Sequence, residues 1–378
     1  MQERVSPASL LAAGLFVRHR TGTTRSCNCR CMHSFSSRLI AWQRQHGRHG
    51  LPWQSADAYQ VWLSEIMLQQ TQVNTVIPYY QRFVASFPDI ASLAAATEEQ
   101  VLAHWSGLGY YARGRNLHKA AQIIVEKHHG EFPRQFEDIL ELPGIGRSTA
   151  AAICALAWHE RRAILDGNVK RVLARYCGIS GTPGEKAVEA QLWQQAEALL
   201  PQRDIAAYIQ AQMDLGATLC TRSKPKCGVC PVRSDCAALQ NGRVSELPTP
   251  RPRKAVPERH ATFLLLMHGN DILLEKRPGS GIWGGLWCPP QLDDGQGIVA
   301  DYVQRSGIKV SERIELPGFT HTFTHFKLHI TPVLLRIARK PQRIQQPGSV
   351  WLDVEEALQA AIPTPVRKVL IKLNSGML

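Results

Sequence analysis

From Phe35 to about Gln240, apolar residues recur at intervals of three and four, the spacing that turns one side of an α-helix toward a core. In Tyr59 to Val73 (YQVWLSEIMLQQTQV), Val61, Trp62, Ile66 and Val73 form such a stripe. Helix breaks are expected at Pro78, Pro88, Pro133, Pro143, Pro183 and Pro201, because proline has no N–H to give and crowds the turn before it. Strand-like alternation is scarce, so this block predicts an all-α domain. The pattern stops at ELPTPRPRKAVPER (Glu246 to Arg259), whose four prolines favour an extended linker over a helix or a central strand. Beyond it the period changes. Phe263 to Met267 and Ile272 to Leu274, split by HGND, predict a β-hairpin. Phe326, Leu328 and Ile330 alternate like a half-buried strand, and Val354 to Ala361 has helical spacing. Phe323 is out of phase with that strand, which puts a loop or bulge at 321–325. The expected organisation is an N-terminal arm (1–31), a helical domain (32–245), a linker (246–258) and an α+β domain (259–378), without internal repeats.

The arm carries five arginines, one acidic residue and a short apolar run, Leu10 to Val17. Its composition fits a mitochondrial targeting arm or a weak signal peptide. Globular patterning begins only at Phe35, which favours Met32 as the natural start. A formal net charge of +13 over 378 residues, with a pI near 9.4, selects a polyanionic partner. Acidic membranes also attract basic chains, but no apolar run approaches transmembrane length. The expectation is a cytoplasmic, nucleoid-associated monomer bound to nucleic acid.

Ten cysteines are too few for a disulfide scaffold in a chain of this size. Four of them, Cys220, Cys227, Cys230 and Cys236, have the spacing C-x6-C-x2-C-x5-C, which calls for metal in a reducing compartment. Zinc competes with iron–sulfur for such a set, although zinc sites usually show two CxxC-type pairs and only one is present. Cys27, Cys29 and Cys31 match no metal motif, while Cys154, Cys177 and Cys288 fit core thiols.

The stretch Glu141 to Tyr176 (ELPGIGRSTAAAICALAWHERRAILDGNVKRVLARY) carries most of the chemistry. Gly144 and Gly146 stand at a helix entrance, where glycine lets the backbone approach a ligand and free N–H groups suit a phosphate. Asp166 follows an apolar run and precedes a basic amphipathic helix, which it can cap. This order, a phosphate-gripping hairpin and then an aspartate, resembles the helix-hairpin-helix, Gly-Pro-Asp superfamily of DNA base-excision glycosylases. Glu65, at i+4 from Val61 and i+3 from Trp62, falls on the buried side of its helix. It is either a structural acid paired with an arginine or a backbone N–H, or a carboxyl that holds a proton near neutrality. Glycosidic cleavage wants two carboxyl groups in different environments, and Asp166 supplies the second.

WLSEIMLQQTQV, GLGYYARGRNLHKAA, LPGIGRSTA, ILDGNVKRVLAR and MDLGATLCTRSKPKC narrow the resemblance to the MutY-type adenine DNA glycosylase family, in order from about residue 35 to the end. The resemblance implies removal of adenine mispaired with 8-oxoguanine, or with guanine, from double-stranded DNA. Glu65 would be the general acid and Asp166 the carboxylate that stabilises the sugar cation, with Asn168 helping to hold the site. Ser148 stands where bifunctional, endonuclease III-like glycosylase/lyases for damaged pyrimidines carry a Schiff-base lysine, and a hydroxyl cannot do that chemistry. That class is the alternative. Lys170 fits a phosphate contact or a solvated face. Gln70 and Tyr110 would approach the gap left by the flipped base, and Leu51 with Trp53 would line its pocket, unless Trp53 simply packs in the core.

The family also implies a [4Fe-4S] cluster on the four cysteines, with Arg222 and Lys224 in the loop TRSKPK against DNA phosphates. WGGLWCPPQ after a hairpin resembles the start of a Nudix fold, but LDDGQGIVADYVQRSGI lacks the Arg-Glu-x-x-Glu-Glu helix that Nudix hydrolysis needs. Phe323, Thr324 and His325 match the family's Phe-Ser-His loop for 8-oxoguanine, with threonine replacing serine. The fold expected is thus an all-α catalytic domain with a helix-hairpin-helix and an iron–sulfur loop, followed by an α+β Nudix-like domain.

Overall fold

The structure is a computed structural model, and it describes residues 29–251, 255–293, 299–340 and 348–376. Cys27, part of the linker and part of the segment after Leu292 lie outside the described residues. The first block is helical: α1 (Cys29–His46), α2 (Ala58–Leu68), α3 (Val73–Ser86), α4 (Ile90–Ala95), α5 (Glu98–Trp105) and α6 (Ala112–His128). It continues with α7 (Phe136–Glu141), α8 (Arg147–Trp158), α9 (Gly167–Cys177), α10 (Lys186–Ala198), α11 (Ile205–Thr218) and the short α12 (Ala237–Gln240). Local chemistry sets many of these ends. Asp57 caps α2 through the Tyr59 N–H, and Thr97 with Gln100 closes a capping box on α5. Gly178 ends α9 in the left-handed conformation that glycine adopts without strain. One core packs α2 to α8; a second joins α1 and α8 to α11 around Phe35, Leu173 and Tyr208.

The second block is built on one sheet: β1 (Glu258–His268), β2 (Asp271–Lys276), β3 (Trp287–Cys288), β4 (Gln291–Asp293), β5 (Val310–Glu315), β6 (Phe319–Thr322), β7 (Lys327–Ile337) and β8 (Ser349–Asp353). β1 and β2 form the expected hairpin, with Met267 opposite Ile272. The central pair, β1 and β7, is parallel, and it buries Leu264, Leu266, Val333 and Leu335 beneath α13 (Val299–Ser306). Two helices close the chain, α14 (Val354–Gln359) and α15 (Thr364–Asn374). The larger core does not stop at the linker: Leu102 and Trp105 of the helical block belong to the same buried cluster as Phe263, Leu286 and Ile362.

Three local expectations are corrected. The Glu65 helix ends at Leu68, and Val73 opens the next helix. The reason is Arg113, whose guanidinium takes the carbonyls of Ile66, Met67 and Gln69 that another helical turn would have used. Pro78 does not break a helix but lies inside α3, exposed; the acceptor it cannot serve belongs to Asn74, which is itself exposed to water. The irregularity near Phe323 begins later than expected. His321 and Thr322 pair with β7, and the turn is closed by the Phe323 N–H on the carbonyl of Phe326, 2.9 Å.

Candidate active site and nucleic-acid interface

Glu65 on α2 and Asp166 at the start of α9 line one solvent-open cleft of ≈ 2380 Å³, together with Ser148, Asn168, Gln70 and Arg222. An open cleft of this kind suits an extruded nucleotide on a strand. Glu65 is half-buried, and its surroundings act on it through burial and the nearby Asp166 charge, which push its pKa up to about 8. Among the described residues, no arginine charge acts on it. Burial raises Asp166 too, but the N–H groups of Val169 and Asn168 and the charge of Arg171 pull the other way. The Val169 N–H donates to Asp166 Oδ1 at 2.7 Å, so the aspartate caps α9 and faces the cleft at once. Two acids thus share a site: burial, the largest effect, raises both, and the N–H groups and guanidinium that favour an anion lie around Asp166.

The hairpin before α8 is built as its glycines suggest. Gly144 has φ +83, and a Cβ there would meet Asn116 Cβ at 3.0 Å. Gly146 is the N-cap of α8 with no side-chain cap hydrogen bond, which leaves the positive helix end to an outside anion. Ser148 Oγ accepts the Leu165 N–H at 2.9 Å, so its hydroxyl pins the irregular segment that delivers Asp166. Lys170 is not among the cleft-lining residues; its Nζ pairs with Glu189 at 2.7 Å.

A second groove of ≈ 1920 Å³ runs between the two blocks. Tyr110 lines it from the helical side and Phe323, Thr324 and His325 from the sheet side, while Gln69 and Gln70 line both groove and cleft. Gln70 and Tyr110 adopt φ 58 and φ 51, left-handed conformations that cost non-glycine residues energy and cluster where a ligand is gripped. Arg113 holds both: beyond α2 it donates to Gly109 O at 3.1 Å and lies over the Tyr110 ring. Phe323 is stacked on Phe326 at 4.4 Å, while Thr324 and His325 are exposed. Of the remaining predicted residues, Arg222 lines the cleft and Lys224 is exposed on the same loop. Trp53 is buried in the core edge-on to Tyr80, and Leu51 is partly buried against that core; neither lines the cleft.

Models of three families match the chain in order. The HhH-GPD superfamily of base excision DNA repair proteins matches residues 63–198, the iron–sulfur binding domain of endonuclease III residues 220–236, and the NUDIX domain residues 261–372. The adenine DNA glycosylase of Buchnera aphidicola subsp. Acyrthosiphon pisum is 39% identical over 89% of this chain and 96% of its own length. The chain belongs to the adenine DNA glycosylase family. The adenine DNA glycosylases of Mus musculus and Homo sapiens are each 34% identical over 89% of this chain, covering 77% and 73% of their own lengths. Among solved structures, a thermostable thymine-DNA glycosylase aligns with 57% of this chain and all of itself, at TM-score 0.52 and 25% identity. Among the described residues, no helix is long and apolar enough to cross a membrane.

This adenine DNA glycosylase family member carries a [4Fe-4S] cluster, and the iron–sulfur match begins and ends on cysteines of the predicted set. The donor chemistry fits. Cys220, Cys227, Cys230 and Cys236 are free thiols around one pocket walled by Val172, Leu215 and Leu219. Four thiolates are the usual ligand set of such a cluster. Arg175 Nη1 donates to Cys220 Sγ at 3.4 Å. Sequence reasoning missed two residues that join this pocket to the cleft. Arg171 donates to Cys220 O, Gly216 O and Asn168 Oδ1, and Gly216 admits Asn168 so closely that a Cβ would stand 2.6 Å from Asn168 Cβ. They lie in ILDGNVKRVLAR and MDLGATLCTRSKPKC, but a basic helix face and a helical glycine carry no local signal of such contacts.

Proposed function

We propose that this protein excises adenine mispaired with 8-oxoguanine, or with guanine, from duplex DNA at the nucleoid, acting as a monomer. The observation that carries the reading is the juxtaposition of cleft and groove across Gln69 and Gln70: an acid pair on one side, a lesion-facing loop on the other. In this reading residues 32–245 form the catalytic domain, 246–258 the linker and 259–378 the lesion-reading domain. The hairpin at Gly144 and Gly146 grips a phosphate, as do Arg222 and Lys224. Gln70 and Tyr110 occupy the gap as adenine leaves the stack, which offsets the unstacking cost of a few kcal/mol. Cys220, Cys227, Cys230 and Cys236 hold the cluster, which ties the basic loop to the domain.

Glu65 gives its proton to N7 of the flipped adenine. The glycosidic bond then breaks with its electron pair leaving on the base, and Asp166 faces the positive sugar that remains. Water completes the hydrolysis, and Glu65 recovers a proton from solvent. Among the described residues that line the cleft there is no lysine; Ser148 is a hydroxyl bound to backbone and Lys170 is paired with Glu189. Base removal without strand cleavage is therefore expected. The test incubates the protein with duplexes containing A:8-oxoG, A:G or thymine glycol, with and without alkali. Adenine release with strand breaks only after alkali is the expected result; nicking of thymine glycol duplexes at neutral pH would establish the lyase alternative instead.

Phe323, Thr324 and His325 read the lesion in this scheme. The double substitution Phe323→Ala with His325→Ala is expected to lower the preference for A:8-oxoG over A:G by about tenfold or more, since one lost contact of about 1.4 kcal/mol is a factor of ten. Single-turnover rates on both duplexes check it.

A further inference from the structure

We infer that Ser106 and Arg367 form an interdomain pin that sets how far Tyr110 stands from the lesion-facing loop, and so positions the two walls of the groove for 8-oxoguanine. The inference rests on the reading of the groove given above. Ser106 ends α5 and is 7% exposed. Its hydroxyl donates to Ile362 O at 2.6 Å and accepts from Arg367 Nη2 at 3.0 Å, both across the boundary between the blocks. Arg367 Nη1 also donates to Leu358 O at 2.6 Å, tying α15 to α14. On the helical side the Tyr79 hydroxyl donates to Ser106 O at 3.1 Å. A buried hydroxyl with donor and acceptor both used has little freedom to move, and deleting it strands its partners away from water.

The chain leaves this point through Gly107, whose φ of +104 admits few other residues, and displays Tyr110 only three residues later. Tyr111 repeats the link, because its hydroxyl is within hydrogen-bonding reach of the Gly107 N–H and of Thr364. Thr364 and Pro365 line the same groove as Tyr110 and Phe323. Any shift of α15 is thus passed to the loop that carries Tyr110, over a distance too short for slack. Neither Ser106 nor Arg367 lines the Glu65 cleft, so they act on discrimination and not on the glycosidic bond. They are positioning residues.

The experiment compares the full-length wild type with Ser106→Ala, Arg367→Met and the double variant. Single-turnover adenine release is measured on A:8-oxoG and A:G duplexes, and amide hydrogen exchange of residues 107–111 without DNA. The preference for A:8-oxoG is expected to fall about tenfold in each single variant, with the A:G rate within about twofold of wild type. The double variant should be no worse than either single one, since both delete the same link. Exchange at 107–111 should rise in Ser106→Ala. Equal losses on both duplexes, or an unchanged preference, would overturn the pin. Should the wild type release adenine from neither duplex, the functional reading fails, and hydrogen exchange alone decides the pin: unchanged protection at 107–111 overturns it.

Discussion

Glu65→Gln releases adenine from A:8-oxoG duplexes about 10²–10⁴ times more slowly than wild type, the usual share of a general acid. The amide has nearly the shape of the protonated acid and nothing to donate to adenine N7 with the loss of a proton. Wild-type activity should also fall as pH rises through about 8, where Glu65 ionises, and Glu65→Gln should lack that limb. Stability falls with rising pH as well, over a window that opens lower. Unfolded, this glutamate ionises near 4.5; folded, it keeps its proton to about 8. The raised value means that its contribution is fully present below 4.5 and is lost as pH climbs to 8. At pH 7 the full shift corresponds to about 3 kcal/mol, and the solvent-facing edge of Glu65 reduces it to about 1–2 kcal/mol. Glu65→Gln is therefore expected to unfold at a higher temperature than wild type at pH 7 to 8, and at a similar one near pH 4. A variant as active as wild type would remove Glu65 from the chemistry.

Asp166→Asn is the second large effect. Asparagine still accepts the Val169 N–H, so the cap on α9 survives while the charge facing the sugar cation is lost. Removing one preorganised electrostatic partner from such a site costs about 10²–10³ in rate. Excision is thus expected to drop by that factor with the melting temperature nearly unchanged, and Asp166→Ala should lose both. If Asp166→Asn kept its rate, the aspartate would be a helix cap and no more.

These expectations began in local patterns, and the structure shows which of them suffice. The helix after Asp166, the β1–β2 hairpin and the burial of Leu328 and Ile330 follow from period and capping alone. Such features need only neighbours within a turn or a strand pair. The acid pair was legible for a related reason: Glu65 on an apolar stripe and Asp166 before a basic helix each stand out against the residues beside them. Leu51 and Trp53 show the limit, because a Leu-Pro-Trp turn looks the same whether its side chains face a base or a core.

The sequence by itself determined the helical period, the hairpin glycines, the spacing of the four cysteines and the change of period after the prolines. All of these depend on backbone preferences and on which side chains repeat. Tertiary structure decided the rest. It ended α2 with an arginine more than forty residues away, turned Lys170 to Glu189, tied Arg171 to both Asn168 and Cys220, and closed one core across the linker. Those choices depend on which distant carbonyls and carboxylates a long charged side chain meets once the helices have packed. No periodicity along the chain encodes that meeting.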